Sequence, residues 1–287
     1  MQRKLEKFRE SNLFELQGME STEQNLFALM LCEISKVVGY NKKLKENEDE
    51  KLIPHHFSFT ELDICNLFNC SRDNLRKTLE PSAKRLTKIE VGTSGKWGFD
   101  YFSPIYRVKY ERAGKFEMYM GKEIAYMIAN STIMNFSEID LKHFIQLKGK
   151  HSKRIFKKLN QWKTSSYNEE LILSFNQLRK LLGVDNKYKN KQHFRKYCIK
   201  NPIQEIVTKL SDTWRPLDKK NKGYELVKTG RTYSHIKFRL KYVTKKKDSP
   251  INSDDAEDNK LERVYNYQSC QSNNYQLTGK HNPLKTL

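Results

Sequence analysis

Cysteine is scarce: five in 287 residues, and no two of them stand in CxxC spacing. Cys32, Cys65, Cys70, Cys198 and Cys270 therefore outline neither a disulfide framework nor a zinc site. Most lie in apolar patterns, as buried thiols do, and a reducing cytoplasm suits them. Long apolar runs are missing as well. No stretch approaches the roughly eighteen apolar residues of a membrane helix, and the opening MQRKLEKFRE has no apolar core of a secretory signal. Enzyme chemistry is thinly represented. No GxxxxGK[ST] phosphate loop occurs. His55 and His56 are adjacent, so their side chains diverge and make a poor metal pair, unlike the His-apolar-His motif of a nicking enzyme. No carboxylate cluster suggests a nuclease. The expectation is a protein that is not an enzyme and needs no metal or cofactor.

Acidic residues are the last shortage. Against 54 Lys+Arg stand only 34 Asp+Glu, a formal charge of +20. Such an excess attracts polyanions. A coding bias toward Lys, Asn, Ile and Tyr is the plainer source of the same charge, so the motifs have to carry the argument. What the chain does have is core material: 37% hydrophobic residues, with 15 Phe and 15 Tyr, and length for two ordinary domains.

Residues 1–18 are charged and weakly patterned. From Ser21, with Gln24 three residues on as in a capping box, Leu26, Phe27, Met30, Ile34 and Val37 recur at helical spacing. A polar loop follows at 41–50. FSFTELDICNLF, 57–68, reads as a short extended piece and a helix. Ser71 suits the cap of a helix over 71–87, with Leu75, Leu79, Ala83 and Leu86 on one face. Between 88 and 120, apolar and polar residues alternate around Gly turns, the pattern of β-hairpins. GTSGKWG, 92–98, reads there as a wing tip. A helix through 123–128 closes the first half. The second half opens with a helix near 137–147 and another over 153–163, capped by Ser152 after Gly149. An extended-then-helical segment, 173–183, stops at Gly183. A basic helical segment spans about 189–209. Strand-like runs at 223–228 and 234–243 flank the turn KTGR, 228–231. The tail, 244–287, has few core-formers and is expected to be disordered.

The halves repeat. Ser58-Phe59-x-x-Leu62 matches Ser174-Phe175-x-x-Leu178 at an offset of 116. Each match opens a short helix, a tight turn and a second helix, which carries Arg76-Lys77 in one half and Arg195-Lys196 in the other. Each then runs into a hairpin. The fold class expected is α+β: two tandem winged-helix domains, 1–133 and 134–243, related by internal duplication.

The stretch 187–200 holds six Lys or Arg and no acid. On an ideal α-helix, Phe194, Tyr197, Cys198 and Asn201 share one face, while Gln192, His193, Arg195, Lys196 and Lys200 lie elsewhere. Ile199 points outward on that wheel, and spacing offers no reason for it. A helix with one apolar and one basic face suits the major groove. Gln192, Arg195 and Lys196 are candidates for base contact, by the pairing of Arg with guanine and Gln with adenine. Lys189, Lys191 and Lys200 are candidates for phosphate contact. The second wing adds Arg215, Lys219, Lys220, Lys222, Arg231 and Lys237. In the first half, Arg72, Arg76, Lys77, Lys84 and Arg85 are interleaved with Asp73 and Glu80, a mixed face expected to touch DNA backbone and share its surface with a partner.

Four stretches resemble the iteron-binding, tandem winged-helix replication initiators of plasmids: HSKRIFKKLNQWK (151–163), SFNQLRKLLGVDNKY (174–188), HFRKYCIKNPIQEI (193–206) and KTGRTYSHIKFRL (228–240). The resemblance covers about 20–243 and is better in the second half. One departure is Asn201-Pro202, where the family pattern has Pro-Ala. The resemblance implies a protein that binds repeated double-stranded DNA sites (iterons) at an origin. It further implies dimerisation through the first domain, with monomers on iterons and dimers repressing the protein's own gene. The host initiator protein and replicative helicase are implied as partners, and no membrane. The rivals are a winged-helix transcriptional repressor and an origin-nicking enzyme.

Overall fold

Alternation and helical spacing resolve into two copies of one arrangement. The computed structural model describes residues 7–11, 18–40, 53–95, 98–112, 114–134, 136–165, 170–217 and 222–243. The chain divides into two compact units, Met1–Val243 and Thr244–Leu287, and every described residue lies in the first. The expected disordered tail thus lies outside the described residues.

In chain order the elements are β1 (Lys7–Ser11), α1 (Ser21–Tyr40), β2 (His56–Thr60), α2 (Glu61–Phe68), α3 (Arg72–Leu86), β3 (Val91–Gly95), β4 (Gly98–Phe102), β5 (Ile105–Tyr110), β6 (Lys115–Met120), α4 (Lys122–Met134), β7 (Phe136–Asp140), α5 (Leu141–Gln146) and α6 (Lys150–Ser165). There follow β8 (Ile172–Ser174), α7 (Phe175–Leu182), α8 (Lys191–Phe194), a π-helical turn (Arg195–Lys200), α9 (Asn201–Lys209), β9 (Trp214–Pro216), β10 (Tyr224–Thr229), β11 (Thr232–Phe238) and β12 (Leu240–Tyr242).

Strand β2 leads through α2 and α3 to the hairpin β5–β6, in an antiparallel sheet of order β2-β6-β5. Strand β8 leads through α7 and the α8–α9 helix to the hairpin β10–β11, in the order β10-β11-β8. In both sheets the last strand lies in the middle, so the two domains share one winged-helix topology. The first helix of each helix–turn–helix is built alike. Thr60 Oγ1 accepts from the Asp63 N–H at 3.1 Å, and Asp63 returns to the Thr60 N–H at 3.3 Å. Ser174 Oγ accepts from the Gln177 N–H at 3.2 Å, and Gln177 returns to the Ser174 N–H at 2.8 Å. These are reciprocal capping boxes. Each helix ends on a left-handed residue, Asn69 at φ 48° and Gly183 at φ 60°.

The equivalence therefore runs from Thr60 to Ser174, an offset of 114, and the expected 116 is corrected. In the first half, Ser58 and Phe59 belong to a five-residue strand, whereas Phe175 already opens a helix. Leu62 consequently stands exposed, and Ile64 is the buried counterpart of Leu178.

Other expectations are corrected at non-local pairings. Lys7–Ser11, read as charged and weakly patterned, pairs antiparallel with β7, Lys7 opposite Asp140 and Ser11 opposite Phe136. The segment read as a helix over 137–147 is that strand followed by the short α5, which Asp140 caps by accepting from the His143 N–H at 2.9 Å. At the start of α1 it is Glu23, not Gln24, that reaches back, to the Glu20 N–H at 2.6 Å. Gln24 instead donates to Met19 O at 3.2 Å. The described residues of GTSGKWG lie on the paired strands β3 and β4, which pair with no other strand among the described residues, while Lys96 and Trp97 lie outside the described residues. The hairpin of the domain's three-stranded sheet is β5–β6, so the segment expected to be its wing belongs instead to the separate pair β3–β4.

Helix α6 packs against α1, β7, α7 and α9, and so touches elements of both halves. Its Lys153 is fully buried and donates to Asn25 Oδ1 at 2.6 Å and Phe144 O at 2.5 Å. Burial holds that ammonium's pKa down to about 6.

Candidate nucleic-acid interface

The second helix of the second domain begins at Asn190, whose side chain accepts from the N–H groups of Gln192 at 2.8 Å and His193 at 3.2 Å. The turn before it is fixed by Arg179 on α7. Its guanidinium donates to Lys187 O at 2.6 Å, Tyr188 O at 3.0 Å and Val184 O at 3.3 Å. It also lies 4.1 Å over the ring of Phe194, the buried anchor of the following helix. Arg179 escaped the sequence reading because its task is set by carbonyls that only the folded turn brings together.

The helix then widens. Asn201 N–H bonds to Lys196 O, five residues back, in the π turn Arg195–Lys200. Pro202 has no N–H to offer Cys198 O, four residues behind it, and its ring would crowd that carbonyl in a regular α-turn. The wide turn absorbs both problems and adds one residue to the helical repeat. Phe194, Cys198, Ile199, Ile203 and Ile206 are therefore all buried. Tyr197, expected inside, is 42% exposed, and Asn201 is exposed too. Ile199, which the ideal wheel turned outward, is fully buried. Comparison with α3 shows the same slip. Leu75 and Leu79 correspond to Phe194 and Cys198, and Leu86 to Ile206, one residue later.

On the outer side, Lys189, Lys191, Gln192, His193, Lys196 and Lys200 are exposed. Among the described residues, no carboxylate pairs with any of these lysines. Arg195 is half-buried, its guanidinium 4.7 Å over the ring of Tyr233 on β11. In the wing, Lys222 (φ 47°) and Arg231, next to Gly230 (φ 63°), are exposed. Lys219 and Lys220 lie outside the described residues. Two further wing cations are occupied. Lys237 pairs with Glu170 at 2.5 Å, and Arg215 Nε donates to Ser211 O at 2.7 Å.

The corresponding face of the first domain is neutralised from within. Glu80 accepts from Arg76 Nε at 3.1 Å and Lys84 Nζ at 2.9 Å, and these two cations hold its carboxyl below the usual range. Arg112 donates to Asp73 at 3.3 Å, Arg85 to the buried Glu23 at 2.6 Å, and Arg72 stands 3.8 Å from Glu61. Lys77 is exposed and, among the described residues, has no acid partner. A cavity of about 470 Å³ separates α3 from the β5–β6 hairpin, lined by Arg72, Arg76, Glu80, Tyr110, Arg112 and Phe116 among others.

His56 stacks on Tyr119 with ring centroids 4.3 Å apart, and its Nε2 lies 3.2 Å from Glu117. It is a strand residue packed on a neighbour. No group of three His, Cys, Asp or Glu among the described residues could hold a metal ion. No helix among them is long and apolar enough to cross a membrane.

No curated protein sequence matches the chain. A solved structure of the Pi initiator protein in complex with iteron DNA shares its fold, with a TM-score of 0.61 at 16% identity, over 86% of this chain and 100% of that one. The sequence itself matches the family described as "Initiator Replication protein, WH1" over residues 8–160, and "Initiator Rep protein, WH2" over 174–240. With two winged-helix domains in that order, the chain belongs to the initiator replication protein family.

Proposed function

We propose that the chain initiates plasmid replication by binding repeated double-stranded DNA sites, the iterons of an origin, with its second winged helix reading the sequence. The observation that carries this is the first part of the α8–α9 helix, where Lys191, Lys196 and Lys200 are exposed with no acidic partner among the described residues while the apolar side is packed away. A helix so divided fits the major groove. Gln192, His193, Arg195 and Lys196 would meet base edges. Lys189, Lys191, Lys200, Lys222, Arg231 and, by its place in the sequence, Lys220 would meet phosphates. The shared fold of the Pi initiator protein, solved with iteron DNA, supports the same reading.

The first domain, 1–133, takes the backbone-contact and dimerisation role, through Arg72, Arg76, Lys77 and Lys84 where DNA is concerned. The sequence-reading domain is 134–243. Monomers bind iterons, dimers repress the gene, and the bound array recruits the host initiator and helicase in the bacterial cytoplasm. The protein breaks no bond in DNA itself.

Footprinting on the DNA flanking its own gene tests this. Protection of regularly spaced direct repeats, about two helical turns apart, is expected. A single operator without repeats would favour a repressor. Clean nicking of a supercoiled plasmid at a defined site with Mg²⁺ would overturn the non-enzymatic mechanism.

A further inference from the structure

Arg195 does not stand alone on the reader helix. From the geometry we infer that Tyr233, in the wing, is a specificity-determining residue that aims Arg195 at the DNA base it reads. The inference rests on the reading of the second domain as the sequence reader.

Strand β11 carries a bulge. Val227 pairs with His235, but Lys228 pairs with Tyr233, so Ser234 is the extra residue. An extra residue inverts the two-residue alternation beyond it. Without it, Tyr233 would share the face of His235 and Lys237. With it, Tyr233 comes round to the side of the buried Ile236 and Phe238, toward the reader helix. Ser234 is held by Thr229, hydroxyl to hydroxyl at 2.6 Å, and by His235 Nδ1 at 2.8 Å, which locks the bulge.

The tyrosine ring carries cations from both elements. The Arg195 guanidinium carbon lies 4.7 Å from its centroid and Lys228 Nζ 5.1 Å. A guanidinium on an aromatic face keeps its N–H edge free, and that edge makes the paired bonds to guanine. Arg195 Nε is buried and has no hydrogen-bond partner among the described residues. Stacking, rather than hydrogen bonding, therefore sets the orientation of this side chain before DNA arrives. Such pre-ordering lowers the entropic cost of binding and sharpens discrimination. It also ties the wing to the reader helix: movement of β11 moves Arg195.

The test compares full-length wild type, Tyr233→Phe and Tyr233→Leu, each with and without Arg195→Ala. The measurement is the ratio of Kd for random duplex to Kd for the duplex footprinted beside its own gene, with folding checked by thermal melting. Tyr233→Phe keeps the ring and should stay within about twofold of wild type. Tyr233→Leu fills the space without a π face and should lower the ratio by about tenfold, the scale of one partly desolvated cation–π contact. In the Arg195→Ala background the Leu substitution should cost nothing further. A loss shared by Phe and Leu, no loss with Leu, or an equal loss without Arg195 overturns the inference. A wild-type ratio near one would instead overturn the sequence-reading role of the domain.

Discussion

Glu205 lies on α9, in the helix proposed to read DNA, yet bonds to the start of another. Its carboxylate accepts from the N–H groups of Lys148 at 2.6 Å and Gly149 at 3.0 Å, from Ser152 Oγ at 2.5 Å and from Lys209 Nζ at 2.6 Å. Burial alone would raise its pKa, but these four bonds outweigh it and hold the carboxyl below its ordinary value. It thus caps α6 from α9. Glu205→Ala should cost about 2 kcal/mol in urea unfolding, since it strips the acceptor from the part-buried Gly149 N–H and Ser152 hydroxyl. His151, at the same end of α6, is the opposite case. It is buried, and neither ring nitrogen has a hydrogen-bond partner among the described residues. Burial pushes its pKa down from 6.5 to about 4, with Lys150 and Arg154 adding to the effect. The unfolded chain therefore takes up a proton below pH 6.5 that the folded protein refuses until about pH 4. Stability attributable to this residue is complete above pH 6.5 and falls as the pH drops toward 4, by roughly 3 kcal/mol at most. His151→Leu should flatten this acid limb in thermal melts at pH 7.5 and 4.5. An unchanged limb would assign the acid sensitivity to another group.

At the scale of elements, the reader helix gives the sharpest contrast between regular geometry and the fold. An unbroken α-helix buries Tyr197 and exposes Ile199; the π turn does the reverse. Ile199→Ala should then destabilise by about 3 kcal/mol, and Tyr197→Ala by less than about 1 kcal/mol, in denaturant titrations. The reverse order would show that the turn closes as an α-helix. What the sequence disclosed follows the same divide. Local signals were legible: the left-handed stop at Gly183, the hairpin around Gly230, the basic run before Lys200. Each is a property of a few neighbouring residues. What stayed hidden depends on distance along the chain. Strand β1 acquires its pairing only when β7 arrives beside it. The 114-residue register is fixed by how long β2 is compared with β8. The π turn depends on Pro202 and on the core that draws Ile199 inward. Of the candidate site, the exposed lysines were readable from charge and period, while Arg179 and Tyr233 were not, because their roles come from contacts across turns and strands.

The whole molecule repeats one topology with two electrostatic outcomes. On α3, Glu80 holds Arg76 and Lys84, and Asp73 holds Arg112. Over Lys191–Lys200 of the other helix no acid plays that part among the described residues; Glu205, further on, holds Lys209 and the start of α6. Arg195→Ala with Lys196→Ala should therefore abolish preference for the repeats while leaving weak, salt-sensitive binding. Arg76→Ala with Lys77→Ala should weaken binding to every sequence alike and leave the preference intact. The salt dependence separates the two domains further. Removing one cation from a phosphate lowers the slope of log K against log salt by roughly 0.9. Arg76 would have to leave Glu80 to neutralise a phosphate, and that leaves a carboxylate facing the DNA. The pair Arg76 and Lys77 should thus act as about one phosphate partner, near 0.9 in slope, rather than the two that its charge suggests. A slope falling by about 1.8 would mean that Arg76 abandons Glu80 on binding, and that the first domain rearranges its charges on DNA rather than meeting it with the lysine alone.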